Sequence, residues 1–448
     1  MTGESRTFGL SNVERQRLIE RFRDSGKAQE PIGPTPNQDP FQDLEYWRQF
    51  EMIRMASESL GIANPFYRVH EGVGGAGIVR DGRRYLNFAS YNYLGLNGHP
   101  RVSAAAKQAI DDHGTSASAS RLLTGERSVH VALERSLAEL HGTEDCISFV
   151  SGHATNVTVL GCLLGRPDLI LYDALSHNSI QQGAQLSGAR RLSFPHNDVA
   201  AAERLLAQHR GQCRQALIAI EGHYSMDGDV PDLPAFAEIA RRHKAWLLVD
   251  EAHSVGVLGR HGRGIAEHFG VDGALVDFWM GTLSKALAGC GGYIACSRRG
   301  AEYLRYAAPG FVYSVGMPPP IAAACAASLD VLREEPERVA RLNANAALFL
   351  ARAKEAGLDT GLSQGFGIVP VIIGSSVAAA RLSEILFARG INVKPILYPA
   401  VPEQGARLRF FLSSEHTAAE IGEAVTVLAE EVARMKSGNT GLPETLLR

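Results

Sequence analysis

The sequence predicts an α/β protein: a mostly parallel seven-stranded sheet in a large domain, followed by a smaller α+β C-terminal domain. Three observations carry that expectation. Short apolar or β-branched runs alternate with Ala- and Leu-rich helical stretches through the middle of the chain, the pattern of strands joined by crossover helices. Those runs are apolar almost throughout, as in a sheet covered on both faces. After about residue 330 the texture shifts to longer helical segments flanking a few strands.

Residues 1–45 read as an extension. Ser11 and Glu14 suit a capping box ahead of an apolar stripe of Leu18, Ile19 and Phe22, and the Pro-rich connector PIGPTPNQDP follows. A disordered tail and a partner-docking helix both satisfy that pattern. Residues 46–110 hold a helix, EYWRQFEMIRMASESL, the strand-like pieces FYRVHEG and GIVRDGRRYLNFAS, and the turn-rich YNYLGLNGHP. Residues 111–330 form the expected large domain, with strands over CISFVSG, LILYDAL, RLSFPH, ALIAIEG, WLLVDEA, VDFWMGTLS and GGYIACS. Residues 331–448 form the small domain, with strands over GIVPVIIG, INVKPIL and ARLRFFLS and a last amphipathic helix, TAAEIGEAVTVLAEEVARMK.

Composition narrows the function. A chain with 45% hydrophobic and 21% charged residues is an ordinary globular protein. Lys and Arg number 45 against 48 Asp and Glu, which leaves no global basic field for nucleic acid or an anionic membrane. The six cysteines form no CxxC pair and no zinc-type spacing, so reduced thiols and no metal are expected. The first residues lack the apolar core of a signal peptide, and no window nears the ~20 apolar residues of a membrane span. A cytoplasmic enzyme is the expectation.

Several strands end in a polar residue: Ser151, Asp173, His196, Glu221 and Asp250. The carboxyl ends of strands are where open α/β sheets bind ligands. Asp250 closes the apolar run LLVD, and a carboxylate there needs a cation or good donors; a lone Asp also serves as a helix cap. Lys285, in GTLSKALAG, follows the apolar run VDFWMG. Burial lowers a lysine pKa and makes the amine a Schiff-base nucleophile, although a single lysine there also suits a helix surface. An aspartate for a pyridinium nitrogen and a lysine for an aldehyde are together what a protein supplies to pyridoxal 5'-phosphate (PLP). Ser151-Gly152-His153 opens a helix after a strand, a ready phosphate site, and Thr282 adds a hydroxyl. His177, in DALSHNS, is either a core histidine or a ring lying over a flat cofactor.

From about residue 45 to 435, the segments YNYLGL, SGHATN, DALSHNS, EGHYSMDGD, VDEAHSVGVLG, GTLSKALAG, YSVGMPP and ARLRFFLSSEH, in that order, resemble the α-oxoamine synthases. These fold-type I PLP-dependent transferases include 8-amino-7-oxononanoate synthase, glycine acetyltransferase, 5-aminolevulinate synthase and serine palmitoyltransferase. The resemblance implies that Lys285 is the Schiff-base lysine and the base for the Cα proton. It makes Asp250 the partner of the pyridine nitrogen, His253 the partner of the ring oxygen and His177 the stacking ring. Ser151, Gly152, His153 and Thr282 fall on the phosphate side, and Glu221 and Ser225 beside the ring. Arg409 matches the arginine that grips the amino-acid carboxylate, through two parallel hydrogen bonds that lysine would not reproduce. Asn92 is expected at the substrate, next to Tyr91 in the Tyr-Asn order of the serine palmitoyltransferase type. Ser314 resembles a residue that reaches the phosphate in the other subunit of a homodimer.

The implied reaction joins an α-amino acid to an acyl thioester, on CoA or an acyl carrier protein, and releases carbon dioxide, free thiol and an α-amino ketone. LYPAVPEQGARLR is closer to the glycine-using members. Residues 1–45 resemble the linkers of polyketide and nonribosomal peptide assembly lines, which makes a carrier-bound acyl chain at least as much an expectation as acyl-CoA. The same lysine and aspartate also serve aldolases, racemases and aminotransferases. A non-catalytic partner subunit is opposed by the presence of Lys285, Asp250 and His253. An NAD-dependent oxidoreductase is excluded because GVGGAG (72–77) lacks the helix that a dinucleotide loop needs.

Overall fold

The computed structural model describes residue 41 and residues 44–437. The capping box and stripe expected between Ser11 and Phe22 lie outside the described residues. An N-terminal helix, Glu45–Ser59, leads to a hairpin of β1 (Gly77–Arg80) and β2 (Arg83–Asn87). FYRVHEG forms no strand beyond the single bridge Glu71 to Val79. Tyr67, with φ +54°, interrupts the extended run there.

The large sheet contains β3 (Asp145–Phe149), β4 (Leu169–Asp173), β5 (Arg190–Phe194), β6 (Ala216–Glu221), β7 (Trp246–Asp250), β8 (Phe278–Thr282) and β9 (Gly292–Cys296). Its seven strands run in the order β3-β9-β8-β7-β6-β4-β5. All pairs are parallel except those of β9, which runs antiparallel to β3 and β8. The near-continuous apolar runs follow from burial on both faces. Along β6, Ala216, Ile218 and Ile220 enter one core cluster while Leu217 and Ala219 enter the other. Successive side chains of a strand point to opposite faces, so both faces must be covered.

The remaining strands are β10 (Ile368–Ile372), β11 (Ile391–Asn392), β12 (Lys394–Ile396) and β13 (Arg407–Phe411). INVKPIL, expected as one strand, is shared between two sheets. β11 extends the hairpin in parallel with β2, and β12 pairs antiparallel with β13, which also pairs with β10. Thus residues 77–87 build onto the C-terminal part of the chain. The last helix, Ala418–Lys436, starts at the capping box Thr417–Glu420.

Register sets up the site. Glu221 and Asp250 are directly paired across β6 and β7, which puts two buried carboxylates side by side at the carboxyl end of the sheet. Glu251, one residue on, is 1% exposed and accepts the Ile265 N–H at 3.0 Å. Burial pushes its carboxyl up to about 8, above its unfolded value. The folded protein therefore holds a proton that the unfolded chain loses as pH rises from about 4.5, so this group's stabilisation fades between pH 5 and 8. Glu251→Gln is expected to flatten the fall of melting temperature across that window. An unchanged slope in equilibrium unfolding from pH 5 to 8 would refute it.

Candidate active site

Four strand ends converge. Asp173 closes β4, Glu221 closes β6, Asp250 closes β7 and Thr282 closes β8. Glu221, Asp250 and Thr282 border a cavity of about 160 Å³ lined also by Ser151, His177, His253 and Lys285. Among the described residues, no group of three or more His, Cys, Asp or Glu is placed to hold a metal ion. No described helix is long and apolar enough to cross a membrane.

Asp250 is buried, 4% exposed. One carboxylate oxygen accepts the Asn156 amide at 2.8 Å and the other the Ala252 N–H at 3.0 Å. Asn156 also donates to the Ser179 hydroxyl at 3.0 Å, and that hydroxyl meets His177 Nδ1 at 2.7 Å. This chain ties the ring of His177 to the carboxylate of Asp250. Asn156 and Ser179 were not singled out from sequence, although both lie within the quoted segments SGHATN and DALSHNS.

His177 caps the helix Asn178–Ser187, and its N–H donates to Glu221 Oε1 at 2.6 Å. Burial and the neighbouring Asp250 push Glu221 up to about 8, as expected for a carboxyl that must share a site with another. His253 is buried against the Tyr93 hydroxyl, 2.7 Å from its Nδ1. Burial, with Lys285 and Arg409 nearby, holds its ring well below the ordinary histidine range. A neutral ring accepting Tyr93 at Nδ1 carries its proton on Nε2, which is then a donor. Burial lowers Lys285 to about 8, against the pull of Asp250 and Glu221.

The phosphate-side residues meet at the helix Gly152–Leu163, capped by Ser151. A Cβ on Gly152 would fall 2.6 Å from Thr282 Oγ1, so only glycine lets this helix start lie against the end of β8. Thr282 Oγ1 donates to the Gly291 carbonyl at 3.0 Å and accepts the Ser284 N–H at 3.3 Å. His153 is exposed, its ring edge-on to His177 at 6.0 Å. These residues suit PLP: a helix N-terminus for an anion, a buried carboxylate for a pyridinium and a lysine with a lowered pKa.

Arg409, on β13, reaches the same end of the sheet. Its Nη1 donates to the Ser225 carbonyl at 3.0 Å and lies 3.3 Å from the Met226 sulfur, while its buried Nε has no partner. A half-buried guanidinium with an unmet donor suits a carboxylate. Ser225 is buried and meets Arg409 through its carbonyl. Asn92 lies in the wall of an open cleft beside Tyr91, its amide bonded to the Gly74 carbonyl and the Asn97 N–H. Tyr91 faces the chemistry, with Lys285 Nζ 5.7 Å from its ring centroid and Phe411 edge-on at 4.8 Å. Ser314 lies outside its own chain's cavity, its hydroxyl 3.2 Å from the Val315 carbonyl. Ser284 and Lys285 form the wall shared with a second, open cleft of about 490 Å³, whose sides carry Arg68, His70, Arg80, Tyr91 and Lys394.

The chain matches the aminotransferase class I and II family over residues 83–428. It is 42% identical over 365 residues to the 8-amino-7-oxononanoate synthase of Geobacter sulfurreducens, covering 81% of this chain and 92% of that one. The chain belongs to the α-oxoamine synthases.

This α-oxoamine synthase is also 39% identical over 346 residues to the 4-hydroxy-2,2'-bipyrrole-5-methanol synthase PigH of a Serratia strain, covering 77% of this chain and 52% of that longer protein. Among solved structures, serine palmitoyltransferase of Sphingomonas wittichii superposes with a TM-score of 0.84 at 31% identity, covering 90% of this chain and all of the other. The protein is a PLP-dependent acyltransferase of fold type I that condenses an amino acid with an acyl thioester and releases carbon dioxide.

Proposed function

We propose that Lys285 works at the junction of two compartments, with the amino acid on the Asp250 side and the thioester arriving through the 490 Å³ cleft. The placement of Lys285 in the wall common to both carries this reading. PLP, when bound, supplies an electron sink for the Cα carbanion. Asp250 would hold the ring nitrogen protonated, His253 would donate to the ring oxygen, His177 would cover the ring, and Ser151, Gly152, His153 and Thr282 would take the phosphate. Glu221 and Ser225 hold His177 and Arg409 in place. Arg409 grips the substrate carboxylate, and the Lys285 amine, near pKa 8, takes the Cα proton. The Cα carbon then attacks the thioester carbonyl, the thiol leaves, carbon dioxide departs and a proton returns to Cα.

Tyr91, its ring 5.7 Å from Lys285 Nζ, and Asn92, in the same cleft wall, would meet the substrate. Arg68, Arg80 and Lys394 on the cleft wall suit the phosphate of a phosphopantetheine arm, whether on CoA or a carrier protein. The linker-like residues 1–45 favour the carrier, and LYPAVPEQG favours glycine or another small amino acid. A homodimer in the cytoplasm, with Ser314 turned to the partner's phosphate, completes the proposal.

The experiment is a visible titration of the PLP-loaded protein with glycine, alanine and serine, followed by carbon dioxide release with acyl-CoA and with an acyl carrier protein. A spectral shift with one small amino acid and thioester-dependent release support the reading. Transamination or racemisation without thioester dependence would overturn it. Removal of residues 1–40 is expected to slow only the carrier-bound reaction.

A further inference from the structure

His196 follows β5 and is absent from the cavity lining, yet it is bracketed by two buried acids. Its Nδ1 lies 2.9 Å from Asp173 Oδ1 and its Nε2 2.9 Å from Asp229 Oδ2. Both acids are at most 4% exposed. Each ring nitrogen faces a carboxylate oxygen, so both carry protons and the ring is an imidazolium. Asn197 seconds the bracket. Its N–H donates to the other Asp173 oxygen at 2.8 Å and its amide to Asp229 at 2.7 Å. The Tyr224 ring stands perpendicular to His196 at 4.5 Å.

Each acid governs a segment of the active site. Asp173 accepts the Leu175 N–H at 2.8 Å, ordering the loop that leads to His177. Asp229 closes the turn Tyr224 to Asp229, through Tyr224 N–H to the Asp229 carbonyl at 3.0 Å and Gly228 N–H to the Tyr224 carbonyl at 2.8 Å. This turn is the seat of Arg409, by way of Ser225 and Met226. It also seats Arg407, which reaches the Met226 carbonyl at 2.9 Å and Asp227 at 2.7 Å. Gly228, at φ +70°, comes so near β10 that a Cβ would sit 2.5 Å from the Ile368 carbonyl. The turn is thus wedged between the large sheet and the C-terminal strands.

We propose that His196 is a positioning residue for the amino-acid carboxylate: by joining Asp229 to Asp173 it fixes the Ser225–Asp227 turn that aims Arg409. Arg409 is held at Nη1 by that turn while its Nε is unmet, so a shift of the turn moves the guanidinium. A small misplacement of a substrate clamp costs far more than the contact itself.

The inference rests on the reading of Arg409 as the carboxylate seat, and the test separates the two. In the PLP-loaded protein, His196→Gln, Asp229→Asn and Arg409→Lys are each titrated spectrally with the substrate amino acid and with the amine that lacks its carboxylate. His196→Gln should raise the amino-acid Kd roughly tenfold to a hundredfold and leave that of the amine unchanged. Amide exchange of residues 222–229 in the PLP-free protein should quicken, while β6 and β7 stay protected. Equal weakening of both ligands, or no change in a variant that melts like wild type, overturns the inference. If His196→Gln does not fold, Asp229→Asn, which leaves the imidazolium paired with Asp173, carries the same comparison. Loss of discrimination in Arg409→Lys alone overturns only the role of His196; its retention in Arg409→Lys overturns both readings.

Discussion

Lys285→Ala is expected to abolish covalent capture of PLP and to slow exchange of the substrate Cα proton by about 10⁴-fold or more. In the proposed mechanism the side chain is both the attachment point and the base, and no second lysine lines the 160 Å³ cavity to replace it. The pH dependence in the wild type follows from the same burial. A lysine lowered to about 8 is half neutral there, whereas one at its ordinary value is almost wholly protonated. Borohydride trapping of PLP on the apoprotein should therefore rise as pH climbs through about 8 and then level. Cα exchange in deuterated water, followed by NMR with the amino acid alone, reads the base function without the thioester. Trapping of equal yield in Lys285→Ala would end the assignment.

Asp250→Asn is expected to lower the same Cα exchange by about 10²- to 10³-fold, the scale of a lost electrostatic partner, while PLP stays attached to Lys285. The substitution keeps the shape, since an amide oxygen can still accept from Asn156, now 2.8 Å from the carboxylate. It removes the charge that, in the proposed mechanism, would hold a proton on the pyridine nitrogen. A second consequence has a defined sign. Glu221 is pushed up to about 8 by burial and by Asp250, so loss of Asp250 should bring its carboxyl down, and any basic limb it imposes on the rate profile should move to lower pH. An unchanged exchange rate in a variant with wild-type melting would remove Asp250 from the chemistry.

What the sequence determined by itself is local in origin. A buried strand must be apolar along its length, and a polar residue at its end is conspicuous, so Asp250, Glu221 and the lysine after β8 stand out in the sequence. The alternation of such strands with helices implied the parallel sheet, and the ordered segments from YNYLGL to ARLRFFLSSEH carried the family. The structure decided what depends on direction and on distant partners. Asn92 and Tyr91 are neighbours in sequence, yet one amide is consumed by Gly74 and Asn97 while the other side chain faces Lys285. INVKPIL was divided because its two halves find different partner strands. Asn156 and Ser179 joined Asp250 to His177 only once the helices were packed on the sheet. The dependence of Arg409 on a turn 184 residues earlier came from strand order and crossover geometry. Periodicity reports which face of an element is buried, but not what another element places against it.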